Sequence, residues 1–250
     1  MFKKIIQWIQ ERLNKMISTS TVKQALKIDL ALSQPMAIAL QKWSAMYINQ
    51  AEWLSENVKS LNLPAAIAAE ISRAVTIEMQ VRVTGSARAD WLQLQLKNVV
   101  DNIRTYTEYG AAKGGLMIKP YINGANIAVD FVQADQFYPV AFDTSGKMIA
   151  CVFSDQKTIG HHFYTRLEFH TLANDGYRIT NAAFRSTTKE ILGNQIELSM
   201  VDAWADLEPE AIILNDARPL FAYFKMPTAN IIVPPSSLGV SFYALAVELS

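Results

Sequence analysis

The sequence predicts an α+β protein, with N-terminal helices followed by an antiparallel β-meander. Before residue 110 apolar residues recur at steps of three and four, most clearly Leu92, Leu96, Val99, Ile103 and Tyr106, which is the period of a helix with one apolar face. From Leu116 onward the period changes. Short apolar segments alternate with turn chemistry: Asn123-Gly124, Asp143-Thr144-Ser145-Gly146, Gly160 and Asn174-Asp175-Gly176. Connections this short permit only antiparallel neighbours, because a parallel crossover needs about a dozen residues or more.

Taken in order, residues 1–30 read as an amphipathic helix and a linker. Phe2, Ile5, Ile6, Ile9, Leu13 and Met16 share one helical face, with Lys3, Lys4, Arg12 and Lys15 elsewhere. Such a helix docks on its own protein or on a neighbour, or lies on a membrane surface. Ser18 to Leu26 reads as polar linker. Ser33 and Pro35 have the chemistry of an N-cap and an early helical proline, opening a helix through Met36, Leu40, Trp43 and Tyr47. A further helix starts near Pro64 and passes through Ile67, Ile71 and Val75. The stretch Val75 to Val83 then reads either as its last turns or as a strand.

Gly85 and Ser86 precede a long helix from about Ala87 to Tyr109, with Gly110 as its left-handed cap and Gly114-Gly115 as a tight turn into a hairpin. Strands are expected at Leu116–Tyr121, Asn126–Val132, Phe137–Phe142, Met148–Phe153, Phe163–Thr171 and Tyr177–Phe184. A polar stretch through Leu207-Glu208-Pro209 leads to a strand at Leu220–Phe224. Pro227, Pro234 and Pro235 mark a long loop, and a helix begins near Ser241. The expected division is 1–30, a main domain 31–238, and a helix start at 239–250.

Half of the 250 residues are hydrophobic, which is enough for a sizeable core without staples. Lys and Arg number 23, as do Asp and Glu, so the net charge is zero. Strong nucleic-acid binders usually carry a basic excess. The single cysteine, Cys151, excludes an internal disulfide framework and a multi-cysteine zinc site. No run is apolar and long enough to span a bilayer, and the interrupted N-terminus is not a secretory signal.

Four groups of residues invite a chemical reading. Lys113 lies between Gly110 and Gly114-Gly115, but a phosphate loop needs strand, glycine turn, then helix, and here a helix comes first. His161 and His162 are adjacent and would point to opposite faces of a strand. His170 and Glu168 share a face, giving two ligands where a metal site needs three or four; these histidines read as turn and solvated-face residues. Asp202, Asp206, Glu208 and Glu210 read as a solvated acidic loop rather than a magnesium site or an acid/base pair. Cys151, in MIACVF, reads as a small core residue. The residues assign no catalytic, cofactor-binding or metal-ligating role.

Seven segments in order, LSENVKSLNLPAAIAAEISRAVT, TGSARADWL, YTEYGAAKGGLMIKPY, VDFVQADQFYPVAFDTSG, YTRLEFH, RPLFAYFKMPTAN and SSLGVSFYALAVEL, resemble the portal proteins of tailed bacteriophages and prophages. The resemblance runs from about Gln41 to Ser250 and rests on segment order rather than on one motif. It implies a non-enzymatic head-to-tail connector: a closed homo-oligomeric ring, usually a dodecamer, at one capsid vertex of the virion, assembled in the host cytoplasm. Its implied partners are further copies of itself, the terminase large subunit, capsid and scaffolding protein, a head–tail adaptor, and double-stranded DNA passing through the channel without sequence specificity; no membrane is implied. By order along the chain, the main domain corresponds to the wing and residues from Ser241 to the start of the stem helix.

Zero net charge suits a conduit in which DNA slides, since each neutralised phosphate adds binding. Trp43, Trp53, Trp91 and Trp204 are candidate ring-interface anchors or core residues. Two alternatives stand beside the portal reading: another capsid-associated structural or adaptor protein, and a nucleotide-binding enzyme using the Lys113 loop. Because portal chains continue past the stem helix, the resemblance also implies that this chain folds as an incomplete subunit, mostly monomeric or loosely associated, with its last turn frayed.

Overall fold

The computed structural model describes residues 16–173, 176–214 and 218–226. The expected helix before Met16, the turn at Asn174-Asp175, the proline loop after Met226 and the helix from Ser241 lie outside the described residues.

The described chain opens with helix α1, Thr19–Leu26, where a linker was expected. The polar run STST is the reason: Ser18 Oγ accepts from the Thr21 backbone N–H at 3.2 Å, so a serine that looked like linker chemistry is an N-cap. Val22 is fully buried, and Lys27 closes the helix in the left-handed conformation. Helix α2, Gln34–Tyr47, starts as the sequence predicts, with Ser33 Oγ accepting from Met36 N at 3.3 Å. Helix α3, Leu63–Thr76, carries Pro64 in its first turn. Beyond it, Met79 to Val83 forms neither further helix nor strand. Its backbone groups are satisfied by a side chain instead, since the Gln93 amide receives Val83 N–H at 2.8 Å and donates to Val81 O at 3.2 Å.

Helix α4 spans Ala89–Lys113. Gly110 is therefore interior to it rather than its cap, and Gly114, at φ 82°, is the left-handed terminator. The helix runs one turn further than expected because Gly110 lets it lie close to the strand that follows: a Cβ there would stand 3.0 Å from Leu116 Cδ2.

Strands β1 (Gly115–Asn123) and β2 (Asn126–Gln133) form a hairpin paired along its whole length. Then come β3 (Phe137–Phe142), β4 (Met148–Ile159), β5 (His162–Ala173) and β6 (Gly176–Ser186). Two strands follow that the sequence reading did not contain, β7 (Asn194–Ile196) and β8 (Glu210–Leu214), and last β9 (Ala222–Lys225). All pairings are antiparallel, as the turns require. The strands do not form one meander, however. One sheet has the order β2-β1-β9; the other has β3-β4-β5-β6-β7, with β8 also on β6. Turn chemistry fixes which neighbours are antiparallel, but not where one sheet stops and another begins.

The chain divides into two compact units. The first contains the chain up to Gln41 and Asp135–Pro219, hence the six-stranded sheet. Its core is built on Phe137, Tyr138, Val152, Leu167 and Tyr177, with Ala183, Leu198, Val201 and Trp204 clustered at one end. The second contains Lys42–Ala134 and the segment from Leu220, hence α3, α4 and the three-stranded sheet. Leu116, Met117, Ala111, Ala112 and Val132 are buried in it.

Candidate functional site

Lys113 is the last residue of α4 and is buried. The loop after it therefore sits at the C-terminal end of a helix, where the macrodipole is negative and carbonyls rather than N–H groups point outward. That is the wrong end for a phosphate. Gly115 serves a packing need: a Cβ there would fall 2.6 Å from Phe224 O, so β9 closes against β1 only over a glycine.

The histidines separate as expected at the first pair, with His161 exposed in a turn and His162 opening β5. His170 corrects the expectation of a solvated face. It is 3% exposed and sits in a polar chain along β5. The Arg166 guanidinium lies 2.9 Å from Glu168 Oε2, the other Glu168 oxygen meets His170 Nε2, and His170 Nδ1 lies 2.6 Å from the Tyr177 hydroxyl on β6. Positions 166, 168 and 170 alternate along the strand and so share one face. The adjacent strand supplies Tyr177, which no spacing rule could have paired with them.

The Phe153 ring stands edge-on to the imidazole at 5.0 Å between centroids. A buried carboxylate here is compensated by a cation and a ring N–H, which is a structural arrangement. Among the described residues no three His, Cys, Asp or Glu side chains come together as a metal site.

Cys151 is a fully buried core residue of β4. The acidic stretch is only partly a solvated loop. Trp204, within it, is buried and donates its indole N–H to Asp155 Oδ2 at 3.0 Å, and Glu210 is in β8, paired with Arg178 at 2.7 Å. Asp202, Asp206 and Glu208 are exposed. Near Tyr138 a small polar pocket, reached by Asp135 and Gln156, has room for no more than about one water. The Tyr138 hydroxyl is pushed well above its ordinary range by burial and by Asp135 nearby; it donates to Ile17 O at 2.9 Å, and so holds residues 16–17 over β3.

What remains is a surface. In the second unit, α3 packs on α4, with the Ser72 hydroxyl donating to Arg104 O. The Tyr47 hydroxyl donates to Glu108 at 2.7 Å, and Tyr106 stacks on Phe131 at 3.7 Å. Left outward are Leu63 and Val75 on α3, Trp91 and Leu94 on α4, and Trp53, Leu61 and Ile77 on the flanking segments. Leu61 is 87% exposed and Leu94 66%. Asp90, Gln93, Leu94, Lys97, Val100 and Asp101 line an open groove along α4.

Isolated exposed apolar residues are ordinary, but a concentration of them over one stretch marks an interaction site. The four tryptophans among the described residues divide the same way: Trp43 and Trp204 are core, Trp53 and Trp91 are exposed. The signal available in the sequence was LNLPAAIAAEI, a helix apolar around most of its circumference, which needs more than one packing partner.

The chain matches no protein-family model and no curated protein. Among the described residues no helix is long and apolar enough to cross a membrane.

Proposed function

We propose that this chain is a structural subunit of portal type, which assembles head to tail with copies of itself into a ring at a capsid vertex through which double-stranded DNA passes. The observation that supports this is the concentration of exposed apolar side chains between Trp53 and Leu94 in the second unit, on both helices and on the segments beside them, which the other described residues leave uncovered. A subunit meant to stand alone would gain nothing from it, and a second copy is the occupant the segment resemblance implies.

The α+β composition and the antiparallel sheets are compatible with a portal wing. Terminase, capsid and scaffolding proteins, a head–tail adaptor and a place in the virion belong to the same proposal. Ring closure demands a heterologous contact, in which one patch meets a different patch of the neighbour.

Chemical cross-linking of the purified protein at tens of micromolar separates the symmetries. A weak ladder continuing through trimer and beyond, as a loosely associating incomplete subunit would give, is the expected result. A ladder that stops at dimer, or monomer alone, overturns the proposal.

A further inference from the structure

Strand β8, Glu210–Leu214, is exposed at every residue. It pairs with β6 from Gly176↔Leu214 to Thr180↔Glu210, and among the described residues no strand pairs with its other edge. Ile212, Ile213 and Leu214 leave apolar side chains on both of its faces, and Leu207 just before it is exposed too. Sheet edges of this kind are ordinarily blunted by lysine, proline or an inward charge, or covered by a helix or loop. This strand carries none of the first three within it, so a covering segment is the physical expectation.

The charge around the strand says what kind of segment fits. From Glu190 to Leu214 the sequence has six acids and no Lys, Arg or His. Glu210 is paired with Arg178, whereas Asp206 and Glu208 are exposed. The covering segment must be apolar on one side and cationic on the other.

This chain has such a segment outside the described residues. Between Phe2 and Lys15, Phe2, Ile5, Ile6, Ile9 and Leu13 fall at helical spacing, with Lys3, Lys4, Arg12 and Lys15 against the single acid Glu11. We propose that residues 2–15 of one copy dock along β8 of the next, with the apolar stripe on Ile212 and Leu214 and the cations toward Asp206 and Glu208.

Reach favours the neighbour over the chain's own strand. Ile17 is held over β3 by Tyr138, and β8 lies four strand spacings away across the same sheet, about 19 Å at about 4.8 Å per strand. Fourteen helical residues span about 21 Å, so a helix from the same copy would spend its length crossing the sheet and have nothing left to lie along its edge. The contact is heterologous and repeats from copy to copy. It rests on the self-assembly reading above and names two of the surfaces that meet.

Charge-reversed proteins test it. The first variant carries Lys3→Glu and Lys4→Glu, the second Asp206→Lys and Glu208→Lys; Asp206 and Glu208 are exposed, and circular dichroism checks that both variants fold. In sedimentation velocity each variant alone should associate about tenfold or more weakly than the parent. An equimolar mixture should associate again, because each reversed surface then meets its complement on the other variant.

Reversals without effect, or a mixture as weak as the separate variants, overturn the proposal, the latter also being the result if the segment docks within its own copy. Rings that the reversals leave intact would refute this docking while the portal reading stands. Rescue by mixing with a cross-linked ladder that ends at dimer would uphold the docking as a reciprocal exchange between two copies, and refute both its repetition from copy to copy and the portal reading.

Discussion

Glu168 places a charge in the interior of the first unit. Its carboxylate is buried, and Arg166 and His170 are what make that tolerable. Arg166→Met keeps the aliphatic bulk but strands the carboxylate, and removing one partner of a buried pair costs about 3–5 kcal/mol; urea denaturation of the variant should show a loss of that size. Asp143 makes the opposite case at the surface. Its carboxylate accepts from the Ser145 hydroxyl at 2.7 Å and from the Ser145 and Lys147 backbone N–H groups at 2.9 Å. The Ser145 hydroxyl first, and then the backbone donors, hold its pKa below the ordinary 3.8. A group depressed in the folded state stabilises above its unfolded pKa and loses that contribution as pH falls through the folded one. The stability difference between the parent and Asp143→Asn should therefore be constant near neutrality and shrink below pH 3.8, as read from denaturation midpoints across an acid series.

At the scale of elements, the junction from α4 to β1 shows how little room the second unit leaves. Gly110 brings the helix against Leu116 and Phe224, Gly114 reverses the chain, and Gly115 admits β9. Gly115→Ala would drive a methyl into the Phe224 carbonyl, and overpacking of this kind costs about 1–3 kcal/mol. The loss should be local first: hydrogen exchange at Ala222–Lys225 should accelerate more than exchange within the β1–β2 hairpin, and equal acceleration in both would show that β9 does not depend on that glycine. The order helix, turn, strand was legible in the glycines. Which glycine ends the helix was not, because the choice depends on Leu116 and Phe224, the second of which lies more than 100 residues along the chain.

For the whole molecule, zero net charge conceals an uneven distribution, with bases concentrated before residue 16 and acids between Glu190 and Leu214. The apolar surface of the second unit is independent of that distribution. Leu61→Asp together with Leu94→Asp changes two exposed side chains and should leave the thermal midpoint within a few degrees of the parent, since exposed substitutions usually move stability by about 0.5 kcal/mol or less. The same pair should abolish cross-linked species above monomer. Unchanged cross-linking would move the assembly surface elsewhere.

Legible before any folding were the α+β class, the onset of α2 and α3, the change of period at Leu116 and the antiparallel sense of the hairpins. These follow from local chemistry: caps, apolar period and turns act over a few residues, and the physics is complete within the segment. Tertiary structure decided the rest. Ser18 became a cap because Val22 found a core to enter; the strands divided between two sheets because β2 and β3, consecutive in the chain, do not pair, while β9 returned to β1. His170 left solvent because β6 brought Tyr177 beside it, and β8 formed because β6 offered an edge that EAIIL could pair with. Each of these outcomes depends on a partner distant in sequence, and burial and pairing are properties of two segments at once, whereas propensity and spacing belong to one.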